Sequence, residues 1–247
     1  MDRALYIGMT GARQTLDAQT ANSHNLANAG TVGFRAQLLA SVPQPVAGDG
    51  LPTRVQTLAV EAGWDARSGA TQSTGRALDV AFAPDVWLGV IAPDGSEAFT
   101  KAGDLQIDAY GQLRTGAGHA VLGEGGPMAL PALGNLLIGG DGTVSGVPQG
   151  SGGEALVAAG RLRTVIASPD QLQRGADGLM RPRADAEPLP ATGTVLTAGA
   201  LEGSNVSLPD AMINMIGLAR QFEMQVKLMR SVEENAQASA ALMRMGN

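Results

Sequence analysis

The chain has 247 residues, long enough for one large domain or two modest ones with a sizeable buried core. Its formal net charge of -6, with Arg interleaved among Asp and Glu, leaves no basic stripe of the kind phosphate backbones require, which argues against nucleic acid as a partner. Without cysteine there is no disulfide framework, no thiolate metal site and no cysteine nucleophile.

The start, Met1-Asp2-Arg3-Ala4-Leu5-Tyr6-Ile7-Gly8-Met9-Thr10, carries an acid where a signal peptide carries bases and lacks a sustained apolar stretch, so no Sec-type cleavage is expected. Leu5, Met9, Ala12, Leu16, Gln19, Ser23 and Leu26 then recur at alternating four- and three-residue steps. That is a heptad seam on a helix from about Asp2 to Ala27, and a heptad seam asks for a partner helix. The seam turns small and polar at Gln19 and Ser23, which suits close approach to several neighbours better than a dimer zipper. Gly30 sits near the left-handed position that ends many helices, and Asn28 tolerates it.

From Phe34 to about Arg76 the periodicity is lost. Pro43, Pro45, Pro52 and a Gly48-Asp49-Gly50 turn predict an extended connector with one hairpin, and Thr53 to Val60 alternates enough for a strand pair at an edge. Between Ala77 and about Leu196 short apolar runs return: Leu78 to Phe82, Trp87 to Ile91, Leu105 to Ile107, Ala120 to Leu122, Leu136 to Ile138 and Leu162 to Ala167. Asp94-Gly95, Tyr110-Gly111, Asp141-Gly142 and Asp177-Gly178 supply the turns between them, and Gln149 to Gly153 reads as a surface loop. This spacing predicts a central all-β domain of sandwich or barrel type.

The last helix starts with Ser207 as cap, Pro209 in the first turn and Asp210 on the positive end of the dipole. Its stripe is Leu208, Met212, Met215, Ala219, Phe222, Val226, Met229, Glu233, Ala236, Ala240 and Met243. At the α-helical rise it spans roughly 55 Å against roughly 38 Å for the first helix. An antiparallel pair therefore leaves part of the Met stripe uncovered, and an exposed apolar stripe marks an interface. The fold class is α+β: residues 1–34 and 203–247 form a coiled-coil-like helical domain, 35–76 the connector and 77–202 the β-domain.

Signatures of catalysis are missing. There is no H-E-x-x-H, G-x-S-x-G, S-x-x-K or Walker loop. His24 lies in a polar helix end and His119 follows Gly116-Ala117-Gly118, contexts that read as structural or surface positions. Asp94, Asp104, Asp108 and Asp141 could supply a glycosidase pair, but their turn setting favours local hydrogen bonding. EF-hand spacing is absent. No catalytic, cofactor or metal residue is assigned, and no run sustains the ~20 apolar residues of a membrane span. By composition alone the chain reads as cytoplasmic.

The segment Ala21 to Arg35, with Asn22, Asn25, Leu26, Ala27, Asn28, Thr31, Gly33 and Phe34, closely resembles the A-N-N-L-A-N-x-x-T-x-G-F-[KR] signature of flagellar basal-body rod and hook proteins. Leu201, Glu202, Ser204, Asn205 and Val206, followed by Met212, Met215-Ile216, Arg220, Phe222-Glu223, Lys227 and Met229, look like the family's L-E-x-S-N-V and M-I-x-x-x-R-x-F-E patterns. Leu78-Asp79-Val80-Ala81, Pro93-Asp94-Gly95, Phe99-Thr100-Lys101-Ala102-Gly103, Asp108 to Leu113 and Asp177-Gly178-Leu179 resemble elements of its central domain, so the likeness covers the whole chain. The opening residues and the length are most similar to the proximal-rod member. One departure stands out: Ala83-Pro84-Asp85-Val86-Trp87-Leu88 replaces the usual G-x-G-F-F stretch.

This resemblance implies a structural role in the proximal rod. It implies export through the flagellar type III apparatus, which replaces the cytoplasmic reading with a periplasmic one next to peptidoglycan. The implied partners are proximal-rod neighbours such as FlgC, distal-rod FlgG and further copies of the chain, met through Leu5, Met9, Leu16, Leu26, Met212, Met215, Ile216, Phe222, Val226 and Met229. The helices are expected to order on assembly, Asn25 and Asn28 to cap the bend, and Gly33→Val or Phe34→Asp to block assembly while sparing the β-domain. The rival reading is a secreted carbohydrate- or peptidoglycan-binding or hydrolysing β-domain with coiled-coil ends.

Overall fold

The computed structural model describes residues 2–45, 55–148 and 155–245. The expected Gly48-Asp49-Gly50 turn, Pro52, Thr53, the Gln149–Gly153 loop and the side chain of Met243 lie outside the described residues. The chain divides into two units, one of residues 1–29, 36–64 and 206–247, the other of 30–35 and 65–205. It is largely β with a long helix at each end, α1 (Asp2–Ala27) and α2 (Leu208–Met245). Neither helix is long and apolar enough to cross a membrane.

In the helical unit α1 and α2 run antiparallel. Gly8 faces Met229, Gly11 faces Gln225, and Asn22 reaches Ala211. The residues α1 buries are Gly8, Ala12, Thr15 and Ala21, whereas Leu5, Met9 and Leu16 are exposed. The helix thus turns a line of small side chains to its partner, rotated from the expected seam. Closeness explains the choice: a Cβ on Gly8 would come within 3.0 Å of Met229 Cγ, and one on Gly11 within 2.8 Å of the Gln225 carboxamide. Larger side chains would hold the helices apart. On α2 the face turned to α1 follows the expected stripe: Ala211 is buried and Met215, Ala219, Phe222, Val226 and Met229 are half-buried, while Met212 and Ile216 are exposed.

The segment expected as a connector divides between the units. Strands β1 (Gln37–Pro45) and β2 (Val55–Trp64) pair antiparallel from Gln37↔Trp64 to Pro45↔Val55 and belong to the helical unit. A two-stranded pairing leaves each strand an edge, where Pro43 and Pro45 are tolerated. The register shifts between Leu38 and Leu39, and Gly63 opposite Leu38 takes φ +105, the backbone a bulge asks for. Thr71–Ser73, by contrast, pairs with Ala200–Glu202 in the β-rich unit.

That unit holds a six-stranded antiparallel sheet in the order Leu172–Arg174, Met180–Pro182, Glu97–Thr100, Val86–Ile91, Thr164–Ile166, Leu189–Pro190. A three-stranded sheet joins Leu133–Ile138, Thr143–Pro148 and Val157–Arg161. Val86–Ile91 is buried along nearly its whole length, as a central strand of continuous apolar residues must be. Leu88 and Val90 from the large sheet and Ile138 and Val144 from the small one share a core with Leu105, Leu113, Val121 and Leu162. The expected run Ala120 to Leu122 contributes isolated bridges and a short strand from Leu122 rather than a strand of its own.

Candidate functional site

The asparagines after the α1 seam tie the helical unit together. Asn22 Nδ2 donates to the carbonyl of Ala211 at 2.8 Å, in the first turn of α2. Asn25 meets β1 head-on: its Nδ2 donates to Gln37 O at 2.9 Å and its Oδ1 accepts from Gln37 N at 2.8 Å. Expected as a cap, Asn25 is instead a clamp, because its carboxamide copies a peptide group and so completes the hydrogen bonding of an incoming strand. Asn28 does close the helix, donating from Nδ2 to His24 O at 2.9 Å. Leu26 is half-buried and Ala27 exposed. Asn25→Ala removes both of its hydrogen bonds to Gln37 and is expected to cost about 1–3 kcal/mol, read from loss of helical signal in denaturant. Asn25→Gln, with its amide displaced by a methylene, should not restore it.

Within the β-rich unit the second half of the first motif meets the second motif. Gly33 N donates to Glu202 O at 2.8 Å, Phe34 N to Thr31 O at 3.3 Å, and Asn205 N to Phe34 O at 3.3 Å. Gly33 has φ +67, and a Cβ there would lie 2.3 Å from the carbonyl carbon of Lys101. The Arg174 guanidinium stacks over the buried Phe34 ring at 4.7 Å, and its Nη1 donates to Arg35 O. Asn205 Nδ2 bridges the carbonyls of Asp65 and Arg67. Leu201 and Ser204 are half-buried in the same unit, and Val206 is half-buried in the helical unit.

Beneath this junction lies a buried ionic group that the motif reading had not singled out. Arg35 Nη2 sits 2.7 Å from Glu202 Oε1, with the two side chains 1% and 3% exposed, and Glu202 Oε1 also accepts from Gly69 N. No nitrogen of the guanidinium completes an aligned hydrogen bond among the described residues, so Glu202 balances its charge at short range without satisfying its donors. The only sequence trace of the pair was a basic residue closing one motif and an acid opening the other.

Lys101 is a second cation with 1% exposure. Its Nζ donates to the carbonyls of Ala83 and Pro84 at 2.6 and 2.7 Å and lies 5.0 Å from the centre of the Trp87 ring. The segment that departs from the family's Gly- and Phe-rich pattern is therefore the cradle of this ammonium. Burial pushes the Lys101 pKa down from 10.5 to about 8, opposed by the charge of Glu202 and reinforced by that of Arg35. Between these values the folded chain binds fewer protons than the unfolded one, so stability rises as pH increases from 8 toward 10.5. A gain of about 3 kcal/mol at most is expected. Denaturant titrations at pH 7.5 and 10 should show it, and Lys101→Met should remove the difference between the two.

Three of the four acids weighed for catalysis serve turns. Asp94 Oδ1 accepts from Ser96 N, Asp108 Oδ1 from Tyr110 N and Gln112 N, and Asp141 Oδ1 from Thr143 N. The Ser96 hydroxyl and amide at Asp94, the Arg114 guanidinium and then the Gln112 and Tyr110 amides at Asp108, and the Thr143 amide and hydroxyl at Asp141 hold all three below the usual aspartate pKa, the opposite of what a general acid needs. Large apolar side chains are exposed on both helices: Leu5, Tyr6, Ile7, Met9 and Leu16 on α1, and Met212, Ile213, Ile216, Met224 and Leu228 on α2.

Residues 197–242 match the family described as flagellar basal body rod FlgEFG protein C-terminal, and residues 84–146 match the flagellar hook protein FlgE/F/G D1 domain. The flagellar basal-body rod protein FlgF of Escherichia coli (strain K12) is 44% identical over 253 positions, covering 99% of this chain and 100% of that protein. FlgF of Salmonella typhimurium is likewise 44% identical with the same coverage. The rod protein FlgG of Bacillus subtilis (strain 168) is 32% identical over 99% of this chain and all of its own length.

Proposed function

This chain belongs to the flagellar basal-body rod protein family and is a structural protein of FlgF type, and we propose that it polymerises in the proximal rod through the outward faces of its terminal helices. The observation that carries this is the double role of each helix. Small side chains on α1 already receive Gln225 and Met229 of α2, so the bulky Leu5, Met9 and Leu16 of α1 and the exposed Met212 and Ile216 of α2 are left for neighbouring subunits. Met215, Phe222, Val226, Met229 and Leu26, half-buried at the seam, join that surface at its margin. The helical pair is coiled-coil-like in its close antiparallel contact. The shared core of the six- and three-stranded sheets fits a sandwich-like outer body.

On this reading the neighbours are other rod proteins, FlgG-type subunits among them, and further copies of the chain. The type III export apparatus delivers it to the periplasm, where the rod passes the peptidoglycan. Turn bonding of Asp94, Asp108 and Asp141 supplies no support for the hydrolytic alternative. Deleting the gene should leave basal bodies truncated before the distal rod in electron micrographs, with motility lost; complete rods in the deletion strain would refute the reading.

A further inference from the structure

We infer that Asn205 is a clasp: it binds the three segments by which the β-rich unit continues into the rest of the chain into one cooperative ribbon, so that none of them peels or twists away alone. The chain passes between its two units at residues 29–30, 35–36, 64–65 and 205–206. Inside the β-rich unit, residues 202–205 are hydrogen-bonded to both of the other segments. Gly33 N donates to Glu202 O at 2.8 Å and Asn205 N to Phe34 O at 3.3 Å. Gly203 N donates to Ala70 O and Gly69 N to Glu202 Oε1, both at 2.9 Å, which prolongs the pairing of Ala200–Glu202 with Thr71–Ser73 toward the exit. Asn205 makes the last tie. Its main chain holds Phe34, two residues before the chain leaves at 35–36, and its side chain holds Asp65 O at 3.0 Å and Arg67 O at 2.9 Å, at the point where the chain returns from the hairpin.

The chemistry of the clasp requires asparagine. A primary carboxamide carries two N–H groups on one nitrogen and so puts one on each of two carbonyls. Aspartate at neutral pH has no donor, serine has one, and the amide of glutamine lies a methylene further out. The receiving side is prepared by Asp65, whose Oδ1 accepts from Arg67 N at 3.0 Å and folds residues 65–67 into a local turn that presents the Asp65 and Arg67 carbonyls to a single nitrogen. A lone chain between two bodies turns freely about its φ and ψ. Three segments bonded to one another open together, because each hydrogen bond is weak by itself and the residue common to all three makes their opening a single event.

Amide hydrogen exchange of the purified full-length chain tests the clasp, and its outcome does not depend on assembly into a rod. Asn205→Asp keeps the size of the side chain but sets oxygen against both carbonyls. The amides of Gly33, Gly69, Gly203 and residue 205 should then exchange faster by about tenfold or more, all four together. Gly89 and Ile91 in the central strand, which donate to Arg163 O and Ala120 O, should keep the rates of the parent. Gly33 is decisive, since its acceptor is Glu202 O and not the Asn205 side chain. Acceleration confined to Gly69, Gly203 and residue 205 would show separate ties and overturn the clasp, as would unchanged rates at all four. Should Asn205→Asp unfold the β-rich unit, seen as lost protection at Gly89 and Ile91, Asn205→Ser keeps one donor and decides by the same comparison: a smaller but common acceleration that includes Gly33 supports the clasp, and an unaffected Gly33 rejects it.

Discussion

Glu202→Ala is expected to lower the stability of the β-rich unit by about 3–5 kcal/mol, the cost of leaving a buried charge without its counterion. Among the described residues Glu202 is the one carboxylate in ion-pair contact with Arg35, whose nitrogens complete no aligned hydrogen bond there. Gly69 N loses its acceptor in the same substitution. Lys101 is affected as well, because the charge of Glu202 is what opposes the fall of its pKa. Without that carboxylate, Lys101 should titrate lower still. Arg35→Met should cost less, since Glu202 keeps the Gly69 amide and the nearby Lys101 ammonium. The double variant Arg35→Met/Glu202→Met should recover part of the loss, as apolar replacements of buried pairs often do. Trp87 fluorescence in a Trp64→Phe background reads the β-rich unit by itself, the chain having only these two tryptophans. Equal losses for Glu202→Ala and Arg35→Met would show that the pair does not carry the junction.

Much of the chain was legible because its signals are local. The end of α1 at Ala27 is set by its own sequence, as is the start of α2 after Ser207, and the Asp-Gly turns need nothing beyond four residues. Heptad spacing announced two paired helices and picked the inward line of α2 from Met215 to Met229, yet two lines run along α1, and hydropathy ranks its bulky line first. Contact distance ranks the other first, because Gly8, Ala12 and Thr15 let the axes approach while Leu5, Met9 and Leu16 would hold them apart. The β1–β2 hairpin was read as connector because its prolines and its alternation conflict in a central sheet and agree only in a two-stranded one. The Arg35–Glu202 pair and the cradle of Lys101 were hidden for a different reason. Their partners lie far apart in sequence, and no periodicity links them.

The same junction decides what happens at Gly33. From sequence, Gly33→Val should stop assembly and spare the β-domain; the structure shifts the damage to the β-rich unit itself. Two costs coincide there. A β-branched residue at φ +67 is strained by about 1–3 kcal/mol. Its Cβ would also stand 2.3 Å from Lys101 C, 2.4 Å from Lys101 O and 2.6 Å from Ala102 N. Those are backbone atoms that no rotamer change can move, on a segment fixed by the buried Lys101 side chain. Gly33→Asn separates the terms, since Asn accepts positive φ yet keeps the collision. If strain dominated, Asn would be nearly as stable as Gly. With the collision dominant, Asn, Ala and Val all lose more than the strain alone predicts, Val by at least 4 kcal/mol, among the largest losses of single substitutions. The expected result is loss of the Trp87 signal in the isolated Gly33→Val chain at temperatures where the parent is folded, together with loss of motility. A Gly33→Val chain with the parent's melting temperature but no motility would return Gly33 to the role the sequence suggested, an element of assembly alone.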